Sequence, residues 1–166
     1  MREDIRIYEA FRSMAKCFNS IYYINLKENT FFAPAQTEAA ANTYANEGNY
    51  EEMINVLSTA IVHESDRELY WEMLSVSHMK ERLAEQGYQE FEYRSIMPDG
   101  SYHWLRNQVV LSEQEENGEP YKATLFTTDI EDTKYREFVL TQKRRQAEEM
   151  LEVEQARIRL LADRCV

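Results

Sequence analysis

The chain is poor in the residues that bend or interrupt a backbone, with only four glycines and three prolines among 166 residues. So few glycines leave little material for a phosphate-binding loop, and neither a GxSxG motif nor a Cys/His nucleophile pattern is present. The two cysteines, Cys17 and Cys165, lie near opposite ends and form no CxxC pair. They predict no disulfide framework and fit a reducing compartment. An enzyme is therefore the least supported class of protein.

Basic charge and long apolar runs are also scarce. Lys and Arg number 19 against 30 Asp and Glu, which gives a formal net charge of −11. Because a chain this acidic has no basic face to displace counterions from a phosphate backbone, nucleic acid is not an expected partner. No apolar run approaches the ~18 residues of a membrane span, and the charged N-terminus lacks the apolar core of a secretion signal. We expect a cytoplasmic chain without direct membrane contact.

Apolar residues nevertheless make up 43% of the chain, enough for one folded domain with an appendage. In residues 1–18, the apolar side chains Ile7, Phe11, Met14 and Phe18 recur at helical steps, which predicts an amphipathic N-terminal helix. Two aromatic and β-branched runs then flank a polar turn at residues 27–29 and predict a β-hairpin. Together they indicate a helix that leads into a sheet.

The sequence predicts a helical insert in the middle of the chain. Residues 36–49 predict only a short helix or loop, bounded by a Gly48-Asn49 turn, and residues 50–63 carry apolar side chains at helical spacing. The run from Ser65 to Glu68 matches a capping box at the start of a further helix, and Gly87 predicts the end of the last one.

From Tyr88 onward, apolar residues recur every second position, which predicts strands. A tight turn at residues 98–100 joins two strands, an acidic loop follows, and residues 121–128 form the final strand. After Asp132 the chain has no Gly or Pro and is rich in Glu, Gln, Lys and Arg, as in a long exposed helix. The prediction is an α+β fold with a five-stranded antiparallel sheet and the helical insert on one of its faces.

Two stretches carry a resemblance to a known family: YRSIMPDGSYHWLR at residues 93–106 and TDIE at residues 128–131. They resemble the PAS (sensory box, PAS/PAC) domains, in which DGSY-x-W opens one long strand and D-I-T closes the next. The segment from His63 to Arg67 is similar to the H-x-x-D-R found in one subgroup. Glu131 departs from the usual threonine. The helix patterns and the resemblance together divide the chain into an N-terminal flanking helix at 1–18, a PAS sensory domain at 19–131, and a linker or coiled-coil helix at 132–166.

Three residues are candidates for relaying a signal to the outgoing helix: Arg106, Asp129 and Ile130. A carboxylate at a strand-to-helix corner accepts backbone N–H groups and interacts favourably with the positive end of the helix dipole. Asp129 can also reach a basic residue on the neighbouring strand, and by strand position Arg106 is the best candidate. The alternative, that Asp129 is only a cap worth ~1 kcal/mol, stays open.

A small ligand and a second protomer are the candidate partners. The aromatic side chains that can wall a pocket between sheet and insert are Tyr22, Phe32, Phe91, Tyr93, Trp104 and Phe126; a packed core is the favoured alternative. No cofactor is predicted. His63 or His78 leaves haem open, whereas a flavin photosensor of this fold needs a cysteine in the insert, and none lies there.

The terminal helix carries Ala147, Leu151, Ile158 and Leu161, with Met150, at near-heptad spacing interrupted by Glu154. This pattern predicts a short parallel coiled coil, so that a homodimer would form through the N- and C-terminal helices. The resemblance implies a non-enzymatic sensory and dimerisation module of a bacterial signal-transduction protein. Such modules lie upstream of a histidine kinase, a diguanylate cyclase or a further PAS domain. The alternatives are a cofactor-binding sensor and a ligand-free dimer adaptor.

Overall fold

The structure, a computed structural model, describes residues 5–6, 9–10, 12–13 and 16–165. The chain divides into two compact units, Met1–Ile130 and Glu131–Val166. Of the predicted N-terminal stripe, Ile7, Phe11 and Met14 lie outside the described residues, and Phe18 lies within them. The Phe18 ring packs against that of Phe126, with the two centroids 4.7 Å apart.

From Ser20 to Asp129 the first unit contains six strands, four α-helices and one 3₁₀ turn. In chain order the elements are β1 (Ser20–Asn25), β2 (Thr30–Ala35), α1 (Glu38–Ala41), β3 (Glu47–Asn49), α2 (Tyr50–Ala60), a 3₁₀ turn (Glu64–Asp66), α3 (Arg67–Leu74), α4 (Val76–Gln86), β4 (Tyr88–Ile96), β5 (Tyr102–Gln114) and β6 (Pro120–Asp129).

All strand pairs are antiparallel, and the strand order is β3-β2-β1-β6-β5-β4. The predicted α+β fold, with its antiparallel sheet and helical insert, is confirmed. A sixth, three-residue strand, β3, joins the edge where Gly48 and Asn49 predicted a turn. The residue types of this segment do not predict a strand, because its extended conformation is defined by its hydrogen-bonded pairing with β2.

The core lies between the insert and one face of the sheet. Tyr50 and Leu74 from the insert and Val109 from β5 are completely buried there. Further buried members of this core are Tyr22, Ile24, Phe31, Met53, Ile54, Leu57, Tyr70, Met79, Leu83, Tyr93, Leu105 and Leu125. Apolar residues recur at helical spacing in the insert and at every second position in the strands. The helices and the sheet therefore each have one apolar face, and these two faces pack against each other.

The predicted capping box at Ser65 and Glu68 is wrong. The helix α3 begins at Arg67, and Asp66 is its N-cap residue without a side-chain hydrogen bond to the helix. A 3₁₀ turn precedes it, in which the Ser65 N–H donates to Nδ1 of His63 at 3.1 Å. The Asp66 carboxylate instead binds the guanidinium of Arg94, in a pair in which both the donor and the acceptor are charged.

The second unit contains one helix, α5 (Glu131–Arg164), 34 residues long. Its apolar side chains are largely exposed, including Leu151, Ile158 and Leu161. Within the described ranges, no helix, α5 included, combines the length and the apolar content that a bilayer crossing requires.

Candidate functional site

The interior between the sheet and the insert contains a cavity of about 20 Å³. Its lining includes Tyr22, Ile54, Tyr70, Tyr93 and Asn107. A space of this size holds roughly one water molecule. Since small-molecule pockets usually measure ~300–1,000 Å³, the conformation described is a packed core at this place.

The cavity wall is polar on the sheet side. Oγ1 of Thr127 donates to Oδ1 of Asn107 at 2.7 Å, and both side chains are buried. Burial raises the pKa of the Tyr93 hydroxyl, and its hydrogen bonds with Asn107 and Thr127 offset part of that shift. Burial likewise raises the pKa of Tyr22 to about 12 and places that of Tyr70 well above its usual value. All three hydroxyls are therefore neutral and able to donate a hydrogen bond at physiological pH.

The structure divides the six aromatic candidates between the two faces of the sheet. Tyr22 and Tyr93 line the cavity, and the Phe91 ring packs 5.7 Å from that of Tyr93 on the same side. The remaining three lie on the opposite face, because their strand positions have the other parity: Phe32, Trp104 and Phe126. The six therefore do not enclose one pocket.

Sequence reasoning missed Tyr70, Asn107 and Thr127 as lining residues. The sequence pattern could have identified Asn107. It is an amide side chain at an inward-facing position of β5, between the apolar residues Leu105 and Val109. A buried polar side chain needs a partner, so its position in that series indicates a polar contact inside the core.

The Asp129 carboxylate lies beside His103 rather than Arg106. Its Oδ2 is 2.7 Å from Nδ1 of His103, whereas Nη2 of Arg106 donates to Oε1 of Glu92 at 3.1 Å. The expected pairing with Arg106 is thus wrong, for a reason of register. Asp129 pairs with Leu105 across the β5–β6 ladder, and His103 shares the face of Leu105 while Arg106 projects from the other face.

Hydrogen bonds also hold the main chain at the end of β6. The Asp129 N–H donates to Oδ1 of Asn19 at 2.7 Å. The N–H of Ile130 donates to the carbonyl of Trp104 at 2.9 Å, and the Ile130 side chain is buried. These contacts fix the last residues of the first unit to β5 and to the start of the domain.

A second polar cluster, around Asp66 and Arg94, joins the insert to the C-terminal part of β4. Asp66 accepts hydrogen bonds from Arg94, and this pairing lowers the pKa of the Asp66 carboxyl. The neighbouring main chains also pair, with His63 N–H donating to the Arg94 carbonyl at 2.9 Å. Arg67 turns back instead and donates to the carbonyls of Thr59 and Val62 at the end of α2.

Two of the three histidines, His63 and His103, have side-chain partners in the structure. The His63 ring packs edge-on against Tyr102, with centroids 4.9 Å apart, and His103 pairs with Asp129. Across the part of the chain that the structure describes, no three His, Cys, Asp or Glu side chains cluster as a metal site would require.

The comparisons with known proteins agree with this fold. A family model described as PAS fold matches residues 49–126. This part of the chain is similar to PAS domains, which are sensory modules and are generally non-catalytic. No curated protein matches the chain.

Solved structures of PAS domains resemble the chain at low sequence identity. A sensory box histidine kinase/response regulator from Burkholderia thailandensis E264 is 17% identical with a TM-score of 0.55, over 84% of this chain and 98% of that one. The N-terminal domain of a diguanylate cyclase with a PAS/PAC sensor from Marinobacter aquaeolei is 21% identical with a TM-score of 0.44, over 68% and 94%. A PAS domain from Colwellia psychrerythraea is 19% identical with a TM-score of 0.41, over 74% and 98%.

Proposed function

We propose that the chain is a cytoplasmic sensory and dimerisation module that transmits a change inside the PAS domain to α5. Its output partner would be a histidine kinase, a diguanylate cyclase or a further PAS domain, and the module itself would catalyse no reaction. The supporting observation is the end of β6. The N–H of Asp129 donates to the side chain of Asn19, just before β1, and the N–H of Ile130 donates to the main chain of β5. The helix α5 begins at the next residue, Glu131.

The coupling needs two states of the domain that a stimulus can distinguish. Sensory coupling of this kind typically amounts to ~1–3 kcal/mol between the two sites. A small polar molecule that displaces the packing around Tyr22, Tyr70 and Tyr93 is one stimulus, because their neutral hydroxyls offer hydrogen-bond donors in the cavity wall. A rearrangement between two protomers is another. No resident cofactor is proposed.

The size of the cavity favours a second candidate function, that of a dimer adaptor without a ligand. About 20 Å³ leaves no room for a metabolite unless the insert moves. Native mass spectrometry of the purified chain distinguishes a ligand-binding sensor from a ligand-free adaptor, since it reports the number of subunits and any retained molecule together. A retained small molecule, or a metabolite that raises the melting temperature, would contradict the adaptor; a bare dimer that no metabolite stabilises would support it.

The relay itself is tested in a chimera in which this chain replaces the PAS sensor of a histidine kinase. We expect Asp129→Ala and His103→Ala to change basal autophosphorylation by roughly fivefold or more, the lower end of typical coupling. The matched control is Arg106→Gln, which breaks the contact with Glu92 on the other face of β5. Unchanged autophosphorylation in both test variants, with the melting temperature preserved, would show that the end of β6 does not control the output.

A further inference from the structure

The Asp66 carboxylate is attached to the sheet rather than to its own helix. Oδ2 accepts the main-chain N–H of Arg94 at 2.8 Å and its Nε at 2.9 Å, while Oδ1 accepts Nη2 at 3.0 Å. Only 13% of the Asp66 side chain is exposed, so the ion pair is shielded from water on one side. Three charge-assisted hydrogen bonds in this setting make a strong link between the insert and β4.

The same guanidinium also contacts β5. Its central carbon lies 5.0 Å from the centroid of the Trp104 ring, within the range of a cation–π interaction. Arg94 pairs directly with Trp104 across the β4–β5 ladder, which brings the two side chains together on the outer face of the sheet. A planar guanidinium can bind a carboxylate with its edge and an aromatic ring with its face, which a lysine ammonium cannot do at once.

Trp104 in turn holds the end of the domain. Its carbonyl oxygen accepts the N–H of Ile130 at 2.9 Å, and Ile130 is the last residue before α5. Asp66, Arg94, Trp104 and Ile130 therefore form a continuous series of contacts that runs from the insert, across two strands, to the end of the first unit.

We propose that Arg94 is a positioning residue that couples the insert to Ile130. Movement of the insert away from β4 breaks the contact between Asp66 and Arg94, which releases the guanidinium from Trp104. The strand then opens more often at the Ile130–Trp104 hydrogen bond. This route rests on the proposed function, since it states how a change at the insert reaches the segment that precedes α5.

Amide hydrogen exchange, followed by NMR on the whole chain, measures that opening directly. We expect Asp66→Asn and Arg94→Lys to accelerate exchange at Ile130 by ~10-fold, as local opening without global unfolding allows. The matched control is Glu92→Gln, which breaks the ion pair with Arg106 on the same two strands and the same face. Exchange at Ile130 should stay within about twofold of the wild-type rate in that variant.

Exchange at Leu125, in the buried middle of β6, separates coupling from general destabilisation. The proposal requires that Ile130 accelerate more than Leu125; equal acceleration of both, or no change at Ile130, overturns it. If Asp66→Asn does not fold, Arg94→Lys decides alone, because it keeps the charge opposite Asp66. The measurement does not depend on the kinase chimera: coupling at Ile130 with an unresponsive chimera would refute the proposed function and leave this route standing.

Discussion

At the residue scale, Asp66 and Asp129 are two carboxylates at the start of helical segments that have found different partners. Asp66 binds an arginine on β4, and Asp129 lies against a histidine on β5. Neither partner is close in sequence: the separations are 28 and 26 residues. The Asp129 contact therefore depends on the register of β5 and β6, and the Asp66 contact depends on where the insert packs against β4.

The Asp66 contact makes stability depend on pH. Because Arg94 lowers the folded-state pKa of this carboxyl below its ordinary 3.8, the contribution is complete above that value and is lost as the pH falls through the folded-state pKa. We expect Asp66→Asn to reduce the free energy of unfolding at pH 7 by about 1–3 kcal/mol. The difference between variant and wild type should narrow below pH 3.8.

Urea unfolding at pH 7 and at a series of acidic pH values checks this expectation. The control is Glu92→Gln, whose ion pair with Arg106 is about one-third exposed and should contribute less than about 1 kcal/mol. A difference between Asp66→Asn and wild type that does not vary with pH would contradict the ionic origin of the contact.

A second residue-scale prediction concerns Tyr50, which is completely buried. Its hydroxyl donates to the carbonyl of Leu74 at the end of α3, over 2.7 Å. We expect Tyr50→Phe to cost about 1–3 kcal/mol of unfolding free energy, because the carbonyl loses its buried donor. The control is Tyr88→Phe, which removes an exposed hydroxyl that donates to Glu90. Equal losses in the two variants, measured by thermal unfolding, would show that burial is not the cause.

At the scale of the elements, the insert depends on how its helices begin and end. The side chain of Asn49 accepts the N–H of Glu52 at the start of α2. The last helix, α4, ends at Gly87, which has a φ of 69° and donates its N–H to the carbonyl of Leu83. The Gly87 carbonyl also accepts the Leu111 N–H at 3.0 Å, so this one residue ends the insert and attaches it to β5.

Gly87→Ala tests that role. A Cβ at this position would meet no atom within 4 Å, so the whole cost comes from the left-handed backbone conformation. We expect a loss of about 1 kcal/mol in chemical denaturation. Gly87→Asn should lose less, because asparagine tolerates this conformation better than alanine. An alanine variant as stable as the wild type would mean that α4 can end in another way.

At the scale of the whole molecule, α5 has large apolar side chains that nothing in its own unit covers. Leu151 is 59% exposed and Ile158 is 58% exposed, and Leu161 follows them at heptad spacing. Such a helix is typical of one that pairs with another copy, although Glu154 interrupts the seam. The homodimer remains a prediction.

Leu151→Glu puts a charge in the middle of that seam. We expect it to weaken dimerisation by at least ~10-fold, which sedimentation velocity over a range of concentrations would measure. The control is Gln155→Glu, which adds the same charge at an exposed position beside the seam and should leave the dimer intact. Dimers of unchanged affinity in Leu151→Glu would place the interface somewhere other than α5.

The sequence by itself determined the class of fold and most of its elements, because periodicity, turn residues and helix ends act over a few neighbouring residues. The period of two from Tyr88 onward and the turn at Gly100 identified the strands of the C-terminal half. The alternation along β5 also placed Leu105 and Val109 on one face and Trp104 and Arg106 on the other, but it did not show which face lies against the insert.

Only the tertiary structure decided which side chains meet. It placed Asp66 on Arg94 instead of on its own helix, chose His103 rather than Arg106 for Asp129, and put Trp104 on the face away from the cavity. These outcomes depend on which residues lie opposite each other across strands and on where the insert packs. A linear pattern does not contain that register, because the free energy that sets it comes from contacts between residues far apart in the chain.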